Sequence, residues 1–172
     1  MRPPGLLRRI AASAARRAGA IKRAMYRGGR PGPLMRLWNR VDAWAYSTGR
    51  VYPDHAAVLM VRGRHTGKVS AVPIAIADLA GEEFVVSMLG PNAQWVRNVE
   101  AAGGGAVLRR RGRDIRVRLE VVPVPDRATV LRRYVAIAPG ARPHLGLAPS
   151  DPLSRFREIA HAHPVFRIRM SA

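Results

Sequence analysis

The sequence predicts an α+β protein built on a small, partly closed barrel of about six mostly antiparallel strands with flanking helices. Segments of alternating polarity recur from residue 56 onward, and helical segments with apolar residues every three or four positions separate them. The regular strand–helix alternation of a parallel sheet is missing. A chain of 172 residues suffices for one such domain with a short extension.

The first 33 residues form the predicted extension, a basic amphipathic helix over 5–26 and a Gly/Pro-rich linker over 28–33. The whole chain has 30 Lys/Arg and 11 Asp/Glu residues, a net charge of +19. Residues 1–50 contribute 12 basic residues and one acid, hence +11 of that charge. Three interpretations of the helix remain open: packing against the domain or the partner subunit of a homodimer, docking on an anionic membrane, or binding nucleic acid. Nucleic acid is not expected as the partner, because the helix offers only arginines and small apolar side chains.

Residues 34–172 form the predicted barrel domain, which begins with a second helix at about 34–47. Alternation and turn residues predict strands at about 56–62, 69–77, 83–89, 105–110, 114–123 and 164–170. Ala80-Gly81 and Gly112 supply hairpin turns. Helices are expected at 93–102, 127–138 and 152–162, capped by Asn92, Asp126 and Asp151, and the first of them ends at the glycines of 103–105.

The turn between the first two barrel strands, residues 62–68, is the strongest functional signal in the chain. Its glycines allow unusual backbone geometry and close approach of a ligand. The exposed amides, the Thr66 hydroxyl and the basic side chains predict a cradle for a polyanion. The residues concerned are Arg62, Gly63, Arg64, His65, Thr66, Gly67 and Lys68. The alternative is a solvated basic hairpin tip.

Other classes of site are excluded or disfavoured by what the sequence lacks. The absence of cysteine excludes disulfides, thiolate metal sites and cysteine nucleophiles. No metal site is expected, because His161 and His163 lack the helical spacing of a metal pair. No apolar run is long enough to span a bilayer, and no apolar signal core follows either arginine pair near the start of the chain. We therefore expect a cytoplasmic protein, or one bound peripherally to the inner face of the plasma membrane.

Three motifs make residues 34–172 resemble the split β-barrel (FMN-binding-like), deazaflavin-dependent nitroreductase family. The first is the segment 59–74, where the family typically has a strand, Gly-Arg-Lys/Arg-Ser/Thr-Gly and a Pro-Leu. The second is Trp95-Val-Arg-Asn98, similar to the family's Trp-Tyr-x-Asn-Leu-x-Ala helix. The third is Trp44-Ala-Tyr46, similar to a Trp-x-Tyr found there. The segment 138–144 resembles a quinone/nitro reductase-like branch of that family.

The resemblance implies an oxidoreductase that transfers a hydride from reduced coenzyme F420, with FMN as the alternative cofactor, to a small hydrophobic acceptor such as a quinone or nitro compound. Arginines and the glycine turn would hold the acidic tail of the coenzyme. His144 is a candidate proton donor because imidazole titrates near neutrality, and a structural loop histidine is the alternative. The implied cofactor contacts are Arg62, Arg64, His65, Thr66, Gly67, Lys68, Val72, Pro73, Ile74, Ser87, Met88, Leu89, Gly90, Trp95 and Asn98.

The chain also departs from the family pattern. Ser70 replaces a common arginine, Met88 replaces a common lysine, and Arg142-Pro-His144 replaces a tyrosine cluster over the substrate. Two other interpretations therefore remain open. One is a non-catalytic split barrel that binds flavin, haem or lipid, and the other is a cationic membrane-associated protein acting through residues 1–33.

Overall fold

The computed structural model describes residues 55–171 and the backbone of two short strands, β1 (Tyr26–Arg27) and β2 (Arg30–Pro31). These two strands pair antiparallel. Tyr26 therefore belongs to a strand and not to the predicted first helix, and the predicted linker contains a strand. Pairing across a Gly-Gly step accounts for both differences. The rest of that helix, the helix predicted at 34–47, the Trp44-Ala-Tyr46 motif and the domain boundary at 33/34 lie outside the described residues.

Six antiparallel strands form a closed barrel in the order β3-β4-β5-β8-β7-β6. This architecture confirms the predicted fold class. The strands are β3 (Ala56–Arg62), β4 (Val69–Leu79), β5 (Glu82–Val86), β6 (Gly105–Arg110), β7 (Arg113–Val121) and β8 (Val165–Met170). Pairing of β3 with β6, with Leu59 opposite Leu108, completes the closure. No barrel strand is left with a free edge.

Alternating side chains of the strands fill the barrel interior. Leu59, Ile76, Val85, Val117 and Phe166 are each at most 2% exposed and belong to one apolar cluster. Because strand side chains alternate between faces, every second residue of these strands points inward. The hairpin turns lie where the sequence predicts them, at Ala80-Gly81 and Arg111-Gly112, and all four residues have positive φ.

One helix, α1 (Gln94–Ala101), closes one end of the barrel. Its Trp95, Val96 and Val99 join the interior cluster. The helix ends at the predicted glycines, where the Gly104 amide donates to the Val99 carbonyl (2.9 Å) and the Gly104 carbonyl accepts from the Leu119 amide (2.8 Å). These two bonds fix the end of α1 to strand β7.

The remaining helices form a second apolar layer outside the barrel. They are α2 (Arg127–Ile137), α3 (Arg142–Leu145) and α4 (Leu153–Ile159), with 3-10 helices at Val124–Asp126 and Pro139–Ala141. Helix α2 packs on β4, β5, β8 and α4, and its Leu131 and the α4 residue Phe156 are fully buried. Helix α3 and both 3-10 helices were not predicted. None of the described helices is long and apolar enough to cross a membrane.

A buried arginine joins this helical layer to the barrel. Arg127 is 7% exposed, and its guanidinium donates to the carbonyls of Val122 (2.8 Å) and Ala160 (3.1 Å). Burial lowers the pKa of Arg127 from its ordinary value. The carbonyls belong to the chain leaving β7 and to the end of α4, so one side chain connects three elements.

The predicted helix caps are wrong in detail. Asn92 accepts a hydrogen bond from Arg97 (2.6 Å) instead of capping α1, whose first flanking residue is Ala93. Asp126 precedes α2 but makes no capping side-chain bond, because it belongs to a preceding 3-10 helix. Asp151 accepts from the Ala148 amide (2.7 Å) and so stabilises the loop before α4. Asn92 and Asp151 thus bond to other donors, whereas Asp126 occupies the N-cap position of its helix without a side-chain bond.

The Gly104 turn provides a test of how α1 is held. Its φ is +87°, and an added Cβ would lie 2.7 Å from the Leu119 carbonyl oxygen. We expect Gly104→Ala to lower the free energy of unfolding by about 3 kcal/mol, from backbone strain plus steric overlap. Gly112→Ala is the matched control, because Gly112 also has positive φ but no atom within 4 Å of an added Cβ. Chemical denaturation should show a loss of only about 1 kcal/mol for that control, and equal losses would contradict the packing explanation.

Candidate cofactor-binding site

The turn between β3 and β4, which we call the glycine bend (residues 63–68), is closed by its own backbone. The Gly63 amide donates to the Lys68 carbonyl and the Gly67 amide donates to the Gly63 carbonyl, both at 2.8 Å. The Lys68 amide donates to the Thr66 hydroxyl oxygen at 3.3 Å. Gly67 has a φ of +66°, which favours glycine. The bend is therefore a small, internally bonded loop.

These bonds correct the prediction that the exposed amides of the bend are generally available to a ligand. The amides of Gly63, Gly67 and Lys68 are engaged within the bend, and that of Arg64 is engaged by a helix side chain. Within residues 55–171, only the His65 and Thr66 amides of the bend have no acceptor. Any anion at the backbone would therefore meet two adjacent amides at the tip.

Arg64 connects the bend to helix α1. The Asn98 Oδ1 atom accepts from the Arg64 main-chain amide (3.3 Å) and from Arg64 Nη1 (2.9 Å). Asn98 is 1% exposed, and its Nδ2 has no hydrogen-bond partner among the described residues. The structure thus brings together two of the residues predicted from different motifs, which are 34 positions apart.

The other cations of the bend extend into solvent. Arg62, the last residue of β3, is exposed, as are His65, Thr66 and Lys68. No carboxylate of residues 55–171 lies within salt-bridge distance of Arg64, His65 or Lys68. Among the described residues, Arg64 and Lys68 of the bend therefore have no compensating negative charge, which favours binding of an anionic group.

The apolar residues among the implied cofactor contacts are mostly part of the core. Ile74 and Trp95 are buried in the interior cluster, where Trp95 packs on Phe166 with ring centroids 5.5 Å apart. Val72 is half-buried and packs against the same cluster, whereas Pro73 is half-buried on the other face of β4. Cofactor contacts for these four residues remain predictions.

The loop after β5, residues 87–90, is held by hydrogen bonds. Ser87 Oγ donates to the Gly90 carbonyl (2.7 Å), and the Ser87 amide donates to the Pro164 carbonyl (2.9 Å). Gly90 has a φ of +83°, and a Cβ there would lie 3.2 Å from the Ala162 carbonyl oxygen. This turn ends β5 at Val86, three residues earlier than predicted. The loop is consequently fixed against the segment that precedes β8.

His163 also contacts this loop, and no pattern in the sequence predicts that contact. Its Nδ1 lies 3.2 Å from the Ser87 carbonyl, and burial lowers the pKa of the imidazole from 6.5. From the sequence, His161 and His163 stand out only as possible metal ligands, and their spacing disfavours that role. In residues 55–171 no group of three or more His, Cys, Asp or Glu side chains could hold a metal ion. The contact joins residues 76 positions apart, so no local pattern could predict it.

The proposed proton donor lies in the helical layer. His144 is a half-buried residue of α3, next to Leu145, which belongs to the outer apolar cluster. Met88 packs against that cluster, whereas Leu89 packs against the barrel interior. The loop at 87–90 thus contacts both layers.

The residues of the bend are suited to bind the acidic part of a cofactor. They are less suited to bind its planar ring. Arg64 and Lys68, which have no described carboxylate partner, complement oxygen anions. So do the two tip amides without described acceptors and the buried Asn98 Nδ2, which has no described partner. The neighbouring Val72, Leu89 and Trp95 are apolar, which suits a planar ring, although most of their surface already packs in the core.

Comparison with solved structures shows that the chain shares the fold of an F420-H2-dependent reductase. An F420-H2-dependent reductase (FDR-A) matches with a TM-score of 0.50 and 16% identity, over 70% of this chain and 98% of that one. A domain-swapped dimer matches with a TM-score of 0.50 and 14% identity, over 80% and 100% of the two chains. An FAD-binding protein from Mesorhizobium loti has a TM-score of 0.43 and 15% identity, over 77% and 89%. At these identities the similarity establishes the fold alone.

No protein-family model and no curated protein matches this sequence. The structural similarity therefore supports the split-barrel fold that the family resemblance implied. It does not establish family membership, a specific reaction or a specific cofactor.

The His163 contact predicts a pH dependence of stability. Because burial lowers the folded-state pKa below 6.5, the neutral imidazole stabilises the fold above pH 6.5. As pH falls through the interval below 6.5, the unfolded chain binds more protons, so the thermal midpoint should decrease. His163→Asn keeps a donor for the Ser87 carbonyl without titrating, and we expect it to flatten this slope between about pH 7 and about pH 5.

His161→Asn is the matched control for that experiment. The charge of His161 is the last of the three influences on the pKa of His163, so removing it should preserve most of the slope. A His163→Asn profile parallel to that of the unaltered protein would show that another group causes the acid sensitivity.

Proposed function

We propose that this protein is an oxidoreductase that binds reduced coenzyme F420, a deazaflavin, and transfers a hydride to a small hydrophobic acceptor such as a quinone or a nitro compound. The observation that carries the proposal is the glycine bend, where Arg64, His65 and Lys68 face no described carboxylate and Asn98 holds Arg64. The fold shared with an F420-H2-dependent reductase supports it.

The chain's own residues would bind and orient the cofactor. Arg64 and Lys68 would contact its phosphate and carboxylate oxygens, and the amides of His65 and Thr66 would complete that contact at the tip. The bound coenzyme supplies the hydride, so the protein's part is to position the reactive ring and exclude water. The fixed loop at 87–90 provides a rigid apolar edge for this purpose.

FMN is the alternative cofactor in this proposal, because it also combines a planar ring with a phosphate. A homodimer is proposed as the working assembly, supported by the match to a domain-swapped dimer. The basic segment over 5–26 is proposed to pack on the protein or to attach the protein to an anionic membrane surface.

A second candidate is a binding module of the same barrel that holds a flavin, haem or lipid without turnover. The packing of Ile74 and Trp95 in the interior cluster favours this candidate, because it leaves little of their surface to position a reactive ring. His144 as proton donor is part of the first proposal only.

The experiment that separates these functions is titration of the purified protein with F420 and with FMN, followed by fluorescence. The oxidoreductase proposal predicts saturable F420 binding and oxidation of reduced F420 when a quinone such as menadione or a nitro compound is added. Binding without oxidation would favour the module, and no F420 binding at saturating protein would refute the proposal.

The glycine bend can be tested with a paired variant. We expect Arg64→Ala with Lys68→Ala to weaken F420 binding at least about tenfold, because two charged contacts to the acidic tail are lost. The control removes the same charge from exposed helix positions, Arg132→Ala with Arg157→Ala, and should leave the affinity within about twofold. Thermal midpoints should be nearly unchanged for both pairs, since the four side chains are exposed.

A further inference from the structure

The Asn98 side chain makes two hydrogen bonds to a single residue of the glycine bend. Its single Oδ1 atom accepts both the main-chain amide and the guanidinium of Arg64. Two N–H donors converge on that atom, so it must be the amide oxygen and not the nitrogen. The remaining Nδ2 is then a buried donor with no described partner. One atom of α1 thus fixes the backbone and the side chain of Arg64 together.

This arrangement matters because Arg64 is an exposed side chain at a hairpin tip. An unrestrained arginine side chain there would lose rotamer entropy when a ligand immobilises it. If the guanidinium is already held in the free protein, binding an anion requires less ordering. Asn98 is rigid itself, because it is 1% exposed and its neighbours Val96 and Val99 are in the core.

We infer that Asn98 is a positioning residue that orients Arg64 and the glycine bend, and thereby sets the affinity of the bend for oxygen anions. The inference deepens the proposed function and rests on it where the anion is the acidic tail of the coenzyme. It assigns Asn98 a role through Arg64, instead of the direct cofactor contact that the family resemblance implied.

A double-mutant cycle between Asn98 and Arg64 distinguishes the two roles. Asn98→Leu keeps the side-chain volume but removes the hydrogen-bond acceptor. In the background that retains Arg64, we expect this change to weaken F420 binding about tenfold. In the Arg64→Ala background the same change should have almost no effect, because Arg64 is no longer there to be oriented. Equal losses in both backgrounds would show direct ligand contact and overturn the inference.

Amide hydrogen exchange measures the positioning without any cofactor. The Arg64 amide should exchange at least about tenfold faster in Asn98→Leu, because its only described acceptor is lost. Exchange at the Gly63 and Gly67 amides, which bond within the bend, should change less and thus reports whether the bend has unfolded. An unchanged Arg64 exchange rate would overturn the inference.

Inorganic phosphate serves as the anion probe that separates this inference from the proposed function. Titration followed by the amide chemical shifts of His65 and Thr66 should give weaker binding in Asn98→Leu than in the unaltered protein. If phosphate behaves in this way but F420 does not bind, the proposed function fails and the positioning role stands. If phosphate affinity is the same in both proteins, or if phosphate binds neither, the positioning role is refuted.

Asn98→Asp provides the second variant, in case Asn98→Leu lowers stability too far. The carboxylate keeps both bonds to Arg64, so Arg64 exchange should remain slow, but its negative charge offsets the guanidinium. We therefore expect slow exchange together with weaker phosphate binding. Fast exchange in this variant would contradict the assigned geometry.

Discussion

Closure of the six-stranded barrel is the constraint on which the rest of the structure depends. Because strand side chains alternate, a shift of one residue in any pairing would move a whole set of apolar side chains from the interior to the surface. In a closed barrel such a shift would have to be matched by every other strand, since β3 pairs with β6 as well as β4. The register therefore determines where each turn lies and which end of the barrel α1 covers.

The register also separates the charges of the protein. The glycine bend and α1 are at one end of the barrel, and the turns at Ala80-Gly81 and Arg111-Gly112 are at the other. At that other end arginines meet carboxylates, as in the pairs Arg109–Asp114 and Arg110–Glu83, each at 2.6 Å. Cations of the bend have no such partners among residues 55–171. The cations of the bend thus lie at the end closed by α1, opposite these two ion pairs.

The barrel could be predicted from the sequence because its signals are local. Alternation in segments such as 105–110 and 114–123, and a glycine in each turn, identify strands without knowledge of their partners. The glycine bend is also a local signal, so the sequence predicts its position. It does not predict the hydrogen bonds of the bend. Three of its amides donate to oxygens of the bend itself, and the Arg64 amide donates to Asn98. Because Asn98 lies 34 positions further along the chain, no local pattern predicts that bond. Asn92 and Asp151 do not cap their helices for a similar reason, since each bonds to another donor.

Arg127 makes the contact between the helical layer and the barrel tolerant of low pH. Surface pairs such as Arg133–Asp78 depend on an ionised carboxylate and weaken when acid protonates it. The acceptors of Arg127 are the main-chain oxygens of Val122 and Ala160, which do not titrate in water, and a guanidinium keeps its proton in all ordinary buffers. We therefore expect this connection to persist at an acidic pH at which the carboxylate pairs have dissociated. The helices would then stay packed on the barrel after the outer ion pairs are lost.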